Sequence, residues 1–289
     1  MNLQQSDTVV SPARADEAPP TARLTTVLAA VARTVWDRLG LLLAVSVSWA
    51  FVISLPLSLE RLLPRGAPLL AHVLALLLVP IAAAIPTAGA FSIAQRIASH
   101  EEALYAHLWQ DGWRLAGPAL RLTLLQTAAA GILIIASGFY LAMPLWIGRI
   151  ALTVCAYAGL LWAMMVIYQW PALIAQENGI FDEPDRPARR GAFAAIRRSF
   201  FLALARPFFT LALLAILLLL TAMMTATVVL AAVLWIGALA VLTTLAARAL
   251  LIQFRVLPAP SREIPVSDEL FRLPDDRRTP RSRESGTIN

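Results

Sequence analysis

The sequence predicts an all-α protein, a polytopic transmembrane helical bundle of six spans with cytoplasmic interfacial amphipathic helices. Hydrophobic residues make up 59% of the 289 residues and charged residues only 15%, which is too apolar for a soluble domain of this length. The apolar residues form segments long enough to cross a bilayer, and the basic residues fall between and beyond those segments. Together these observations indicate an integral membrane protein.

The six spans follow from segment length. A hydrocarbon core of about 30 Å needs roughly 20 apolar residues in a helix. One apolar stretch, 208–253, is too long for a single span, so we place a tight turn near 225–229 and predict a membrane domain over 38–254. The predicted spans are 39–59, 67–92, 117–143, 146–175, 208–227 and 230–253.

The distribution of arginine predicts the orientation. All 24 basic residues are arginine. With the N-terminus inside, 21 of them lie in cytoplasmic segments, and only Arg61, Arg65 and Arg149 lie on the other side. Since basic residues favour the cytoplasmic side, both termini are expected to be cytoplasmic. The absence of lysine, with abundant alanine and leucine, is typical of a GC-rich bacterial genome, so we expect a bacterial inner (plasma) membrane protein.

Three cytoplasmic segments carry apolar residues at helical spacing, which predicts helices lying on the membrane surface. Anionic lipid headgroups are the expected partners of their basic sides. The predicted apolar faces are Leu24, Val27, Leu28, Val31 and Val35; Leu104, Tyr105, Leu108, Trp109 and Trp113; and Phe193, Ile196 and Phe200. The predicted polar sides are Arg23, Arg33 and Asp37; His107, Gln110 and Asp111; and Arg190 and Arg197.

The two terminal segments are polar. The arm 1–37 lacks the basic and then apolar pattern of a cleavable signal peptide before its amphipathic helix, so the first span is expected to be an uncleaved anchor. The segment 255–289 is interrupted by proline and rich in charge, with too little apolar surface to offset the entropy of ordering. We predict a disordered cytoplasmic tail there.

Several functional classes are excluded by what the sequence lacks. A single cysteine, Cys155, allows neither a disulfide within the chain nor a CxxC motif. The three histidines, His72, His100 and His107, have no metal-ligand spacing, and the phosphate-loop, nucleophile-elbow and dinucleotide motifs are absent. We therefore predict no enzyme, no cofactor and no metal. The net charge of +6 is accounted for by membrane orientation, so no nucleic acid partner is expected.

None of the 18 acidic residues falls within a predicted span, which argues against a proton relay built from carboxylates. Three weak ligand-binding candidates remain. Arg121 can line a cavity for an anionic or sugar-like ligand, although snorkelling to the cytoplasmic surface is the favoured interpretation. Gln169 can bind a ligand or, as we favour, pack against another helix. Pro86, with Pro80, is expected to interrupt the second span, as broken helices do at transporter sites, although prolines are also simply tolerated in membrane helices.

The chain contains two short stretches that are weakly similar to each other. Leu115–Pro118 and Leu204–Pro207 both follow an amphipathic segment and open a predicted span. This is what a parallel repeat produces, and equally what chance produces in apolar sequence with proline at first helical turns.

A short set of motifs resembles a known family. Pro86-Thr87-Ala88 leads into small residues ending at Arg96, Leu108-Trp109 and Trp113 follow, and 192–207 precedes two terminal spans. Over about residues 38–254 the chain is similar to the YesL-like family of bacterial multi-pass membrane proteins, from which its long N-terminal arm and arginine-rich tail depart. The resemblance implies a companion of carbohydrate uptake and utilisation systems. It supplies no catalytic residues.

Three functions are open at this point. The leading hypothesis is an accessory or regulatory subunit that assists solute uptake, with sugars as the expected solute, by docking a membrane transporter complex. The alternative is an independent channel or carrier for a small solute. The third is a membrane-embedded enzyme that modifies lipid-linked substrates with His100, Glu101, Glu102 and His107, although such residues are more typical of a solvated helix face.

Overall fold

The computed structural model describes residues 24–64, 68–144, 146–181, 190–226, 228–254 and 256–257, without the side chains of 224–226 and 228–234. The predicted disordered tail, apart from residues 256 and 257, and residues 1–23 of the N-terminal arm lie outside the described residues. The described part is helical, and the all-α fold class is confirmed. Its helices are α1 Leu24–Asp37, α2 Leu39–Leu62, α3 Leu69–Ala98, α4 Ala106–Arg114, α5 Ala116–Leu141, α6 Trp146–Glu177, α7 Ala192–Ala205, α8 Pro207–Ala226 and α9 Val228–Gln253.

The protein is an integral membrane protein with several spans. Within the described residues, five helices are each long and apolar enough to cross a bilayer: α2, α3, α5, α6 and the Trp235–Gln253 part of α9. The number reaches six only when α7 and the Pro207–Met223 part of α8, which meet at a bend of 105°, are counted together as one broken span. The long apolar stretch divides where α8 ends at Ala226 and α9 begins at Val228. Despite Pro80 and Pro86, α3 continues as one helix over 30 residues.

The helices follow one another in a repeated order of short helix, outer helix and inner helix, and this order occurs three times within the described residues. The inner helices α3, α6 and α9 contact one another. Each outer helix contacts two of them: α2 lies on α3 and α9, α5 on α6 and α3, and α8 on α9 and α6. The short helices repeat this arrangement, since each packs on one inner helix: α1 on α9, α4 on α3 and α7 on α6. This contact pattern is that of a three-fold internal repeat.

The core lies between the inner helices. Phe91 of α3 stacks on Trp170 of α6, with ring centroids 5.7 Å apart. Both rings are buried in one cluster with Leu173 of α6 and Val241 of α9. Burial of large side chains here, rather than helix propensity, stabilises the arrangement of the three helices.

The short helices pack one side against the bundle, while part of their predicted apolar faces stays exposed, including Trp113 of α4 and Phe193 of α7. Val27 of α1 is buried in a cluster with residues of α9, and the buried side of α7 faces the bundle with Ala195 and Ser199. In α4, Leu108 and Asp111 are both buried, whereas Trp113 is exposed. The expectation that Asp111 lies on a polar side of α4 opposite Leu108 is therefore wrong. Each short helix buries a strip of its surface against an inner helix, and periodicity alone does not tell lipid from protein.

Two glycines permit the close approach of α3 and α4. A Cβ atom on Gly89 of α3 would overlap the carbonyl oxygen of Leu108 in α4. A Cβ atom on Gly112 of α4 would lie 2.7 Å from the carbonyl oxygen of Ile85 in α3. Since both obstacles are backbone atoms, a side chain at either position forces the helices apart.

We expect Gly89→Ala and Gly112→Ala each to lower the free energy of unfolding by about 1–3 kcal/mol, the usual cost of overpacking. Thermal unfolding in detergent, followed by tryptophan fluorescence, measures the change. Gly131→Ala in α5 is the matched control, because a Cβ atom there meets nothing within 4 Å. An unchanged unfolding temperature for both crossing variants would contradict the close approach.

Candidate functional site

The C-terminal ends of the three inner helices are each closed by a turn that satisfies terminal carbonyl groups. At the end of α3, the N–H of Glu101 donates to the Arg96 carbonyl at 2.9 Å, and that of His100 donates to the Ile97 carbonyl at 3.1 Å. This pair of bonds is a Schellman motif, which needs a left-handed residue at its turn. His100 occupies that position with φ 58°, a conformation that glycine adopts more easily.

The other two inner helices end similarly. At the end of α6, Gly179 has φ 76° and the N–H of Ile180 donates to the Ala175 carbonyl at 3.0 Å. At the end of α9, the N–H of Val256 donates to the Leu251 carbonyl at 2.9 Å. These turns direct the chain back over the helix ends, and the residues that follow, Glu101, Ile180 and Leu257, all line one cavity.

Asp111 of α4 is the central charged group beside this cavity, with a relative exposure of 6%. One of its carboxylate oxygens accepts hydrogen bonds from Ser92 Oγ at 2.7 Å and from Arg96 Nε at 3.1 Å. The other lies 3.6 Å from a terminal nitrogen of Arg114. A buried charge is tolerated only when it is paired and hydrogen-bonded in this way.

The pKa of the Asp111 carboxyl reflects two opposed effects. Burial raises it, while the hydrogen bonds from Ser92 and Arg96 and the charges of Arg96 and Arg114 lower it. The lowering effects prevail, so the pKa lies below its ordinary value and the group is ionised at neutral pH. Asp111 is thus a fixed negative charge that orients two arginines.

The arginines join all three inner helices and α4. Arg114 donates to the side-chain oxygen of Asn178, just beyond α6, at 3.2 Å. Arg248 of α9 donates to the carbonyl oxygen of Ala98 and to Ser99 Oγ, the latter at 3.2 Å. Arg96 also lies 3.8 Å from a Glu101 carboxylate oxygen. Arginine is favoured at helix C-termini because it offsets their partial negative charge.

The cavity enclosed by these contacts has a volume of about 270 Å³ and a largely polar lining. Next to it, a second space of about 10 Å³, roughly the room that one water molecule needs, lies between α3, α6 and α9. The Thr244 hydroxyl lines the smaller space and has no hydrogen-bond partner in the described part of the chain. The larger cavity is lined by Ser92, Gln95, Arg96, Ser99, Glu101, Arg114, Asn178, Ile180, Arg248 and Leu257.

The three residues singled out from the sequence lie away from this cavity lining. Arg121 is exposed on α5. Gln169 is fully buried in α6, where its side-chain oxygen accepts a hydrogen bond from Gln126 Nε2 at 2.7 Å, as a contact between helices in a membrane protein does. Pro86 is buried in α3, next to Ile85 at the crossing with α4.

The four residues of the enzyme hypothesis have separate environments. His107 alone lies on α4, and its Nδ1 atom accepts a hydrogen bond from the Leu104 N–H at 3.1 Å. His100 forms the turn after α3, Glu101 is paired with Arg96, and Glu102 is exposed. The contacts of His107, His100 and Glu101 are therefore local and structural.

The sequence alone did not predict the cavity residues, because they belong to separate segments of the chain. One sequence signal for them does exist. Ile93-Ala94-Gln95 near the end of α3 is repeated as Ile174-Ala175-Gln176 at the end of α6. Gln95 lines the cavity, while Gln176 donates to the Gly191 carbonyl at 2.8 Å and accepts from Arg198 at 2.7 Å. Alignment of these two stretches would have pointed to the ends of the inner helices.

Among the described residues, no group of three or more histidine, cysteine, aspartate or glutamate side chains is arranged to hold a metal ion. Comparison of the chain with protein family models, with curated proteins and with solved structures found no match.

We expect Asp111→Asn to lower the free energy of unfolding by about 1.5–3 kcal/mol, because two charge-assisted contacts lose their acceptor charge. The folded-state pKa of Asp111 is depressed, so this contribution is fully present above the ordinary aspartate pKa and is lost as the pH falls below about 4. Thermal unfolding of both proteins across this pH range measures it.

The control for this comparison is Glu102→Gln, a change of the same kind at an exposed carboxylate. A stability difference between wild type and Asp111→Asn that stays undiminished down to about pH 2 would show that the carboxylate charge is not its source.

Proposed function

We propose that the protein is an accessory or regulatory membrane subunit, without an enzymatic activity of its own, that assists the uptake of a solute by another membrane complex. Sugar is the proposed solute class, which rests on the resemblance to the YesL-like family. The observation that carries the proposal is the filled centre of the bundle, because a protein whose centre is filled acts through its outer surfaces.

The filled centre is visible in the contacts between inner helices. Phe91 and Trp170 stack there with relative exposures of 3% and 7%, and Val241 of α9 is 1% exposed. Beside the cavity at the C-terminal ends, the space between the inner helices amounts to only about 10 Å³. Close-packed interiors contain few voids larger than a water molecule, which supports the accessory role over an independent channel or carrier.

The perimeter offers surfaces for lipid and for a partner. Ile132, Ile134 and Ile135 on α5 are each at least 67% exposed, which suits either lipid chains or the helices of another membrane protein. On α7, the exposed Phe193 lies in the same groove as Arg197, whose guanidinium group is 5.9 Å from the ring centre of Phe201. Aromatic and basic side chains together favour an anionic lipid surface.

We place the C-terminal ends of the inner helices in the bacterial cytoplasm, with both chain termini on that side. The support is the arginine asymmetry of the sequence. This orientation exposes the cavity and α7 to the cytoplasm, where the state of a transporter is regulated.

The orientation is tested with single cysteines at opposite ends of α3. In a Cys155→Ser background, Leu69→Cys lies at the start of the helix, 79% exposed as leucine, and Glu102→Cys lies just beyond its end. We expect a membrane-impermeant maleimide to label Leu69→Cys in intact cells and Glu102→Cys only after permeabilisation. The reverse pattern would overturn the proposed orientation.

The accessory role predicts a partner that stays bound. We expect affinity purification from native membranes in nanodiscs or mild detergent to recover a transporter subunit in stoichiometric amount, identified by mass spectrometry. The purified chain alone in liposomes is expected to give no flux over a broad panel of solutes. Flux by the chain alone, with no partner recovered in several detergents, would establish the channel or carrier function instead.

A further inference from the structure

The cavity at the ends of the inner helices holds three arginines whose hydrogen-bonding capacity is only partly used. A guanidinium group has five N–H donors in a rigid plane. The bonds described above engage Arg96 through Nε, Arg114 through Nη2 and Arg248 through Nη1. Within the described residues, Nη2 of Arg96, Nε of Arg114 and Nη2 of Arg248 make no further hydrogen bond. Each arginine therefore keeps donors for a ligand.

These arginines are held in place by contacts with other parts of the fold. Asp111 orients Arg96 and Arg114, Asn178 fixes Arg114 from α6, and the end of α3 holds Arg248. Binding a ligand then costs little side-chain entropy, because the donors are already positioned. Ser99, Gln95 and Asn178 add uncharged polar groups to the same lining.

The side chains around the cavity carry a net positive formal charge. Three arginines face two carboxylates, those of Asp111 and Glu101, which leaves one formal positive charge. The C-termini of α3, α6 and α9 add partial negative charge, and Arg248 meets that of α3 at the Ala98 carbonyl. Glu101 is the more weakly held carboxylate, since it lies 3.8 Å from Arg96 and its side chain is 59% exposed. An entering anion can therefore displace Glu101 and take its place on Arg96.

We propose that this cavity binds the phosphoryl group of an anionic ligand. Planar guanidinium groups match the oxygens of a phosphoryl group with paired N–H bonds, and a volume of about 270 Å³ holds that group with a small substituent. The phosphoryl group belongs either to a lipid headgroup or to a water-soluble phosphate compound. The site is independent of the accessory role, since it rests on the contacts around the cavity and not on any partner.

The experiment uses the full chain in phosphatidylcholine nanodiscs and measures its thermal unfolding temperature by tryptophan fluorescence. One arm adds inorganic phosphate, compared with chloride at equal ionic strength. The other arm replaces part of the phosphatidylcholine by phosphatidic acid, in chloride. We expect a rise in unfolding temperature in at least one arm, since a ligand that binds the folded state stabilises it.

Variants locate the effect. Arg114→Gln and Arg248→Gln are each expected to weaken the apparent affinity about tenfold, the cost of losing a charged hydrogen-bond donor. Arg121→Gln is the matched control, because it removes an exposed arginine of α5 that does not line the cavity. If Arg248→Gln fails to fold without its bond to α3, Arg114→Gln decides alone, since Arg114 is 55% exposed.

Each outcome is decisive. A rise with inorganic phosphate that Arg114→Gln weakens supports a soluble phosphate ligand, and a rise confined to phosphatidic acid that Arg114→Gln weakens supports a lipid headgroup. No rise in either arm overturns the site. A rise that Arg114→Gln leaves unchanged, or that Arg121→Gln weakens as much, also overturns it, because the anion then binds outside the cavity. All outcomes can occur whether or not a transporter co-purifies, so this test and that of the proposed function fail separately.

Discussion

The buried carboxylate of Asp111 is the interaction on which one end of the molecule depends. It lies on a helix of nine residues, α4, that is too short to be stable alone. Its contacts with Ser92 and Arg96 bind α4 to α3. Its contact with Arg114 holds the C-terminal end of α4, just before α5 begins. The buried charge is tolerated only because α3 and α4 both contribute donors to it.

The same constraint explains the glycines and the helix caps. Asp111 reaches Ser92 only because α4 lies almost against the backbone of α3, and Gly89 and Gly112 make that approach possible. In an apolar medium, unsatisfied backbone groups at helix ends are costly. The inner helices therefore close their ends with turns and with Arg248, and these polar groups leave a cavity between them.

The three-fold order of short, outer and inner helices separates two kinds of surface. The inner helices bury aromatic and aliphatic side chains against one another, whereas α5 exposes Ile132, Ile134 and Ile135 at its perimeter. A bundle with a filled centre and an apolar perimeter is stable in lipid and presents its chemistry at its ends. In this protein that chemistry consists of arginines, held by carboxylates and carbonyl oxygens, beside a helix, α7, that bears exposed phenylalanine and arginine.

Part of this structure could be predicted from the sequence, because hydrophobic length and periodicity are local properties of the chain. They determined the membrane class, the positions of five spanning helices, the division of the stretch 208–253 and the existence of three short amphipathic helices. The two similar stretches that end in proline, Leu115–Pro118 and Leu204–Pro207, marked two of the three junctions between short and outer helices. Only the tertiary structure decided that the short helices pack on inner helices, that Asp111 is buried and that Arg96, Arg114 and Arg248 converge, since these residues lie up to 152 positions apart. Hydropathy predicts how deep in the membrane a residue lies, whereas only the contacts between helices determine which residues are its neighbours.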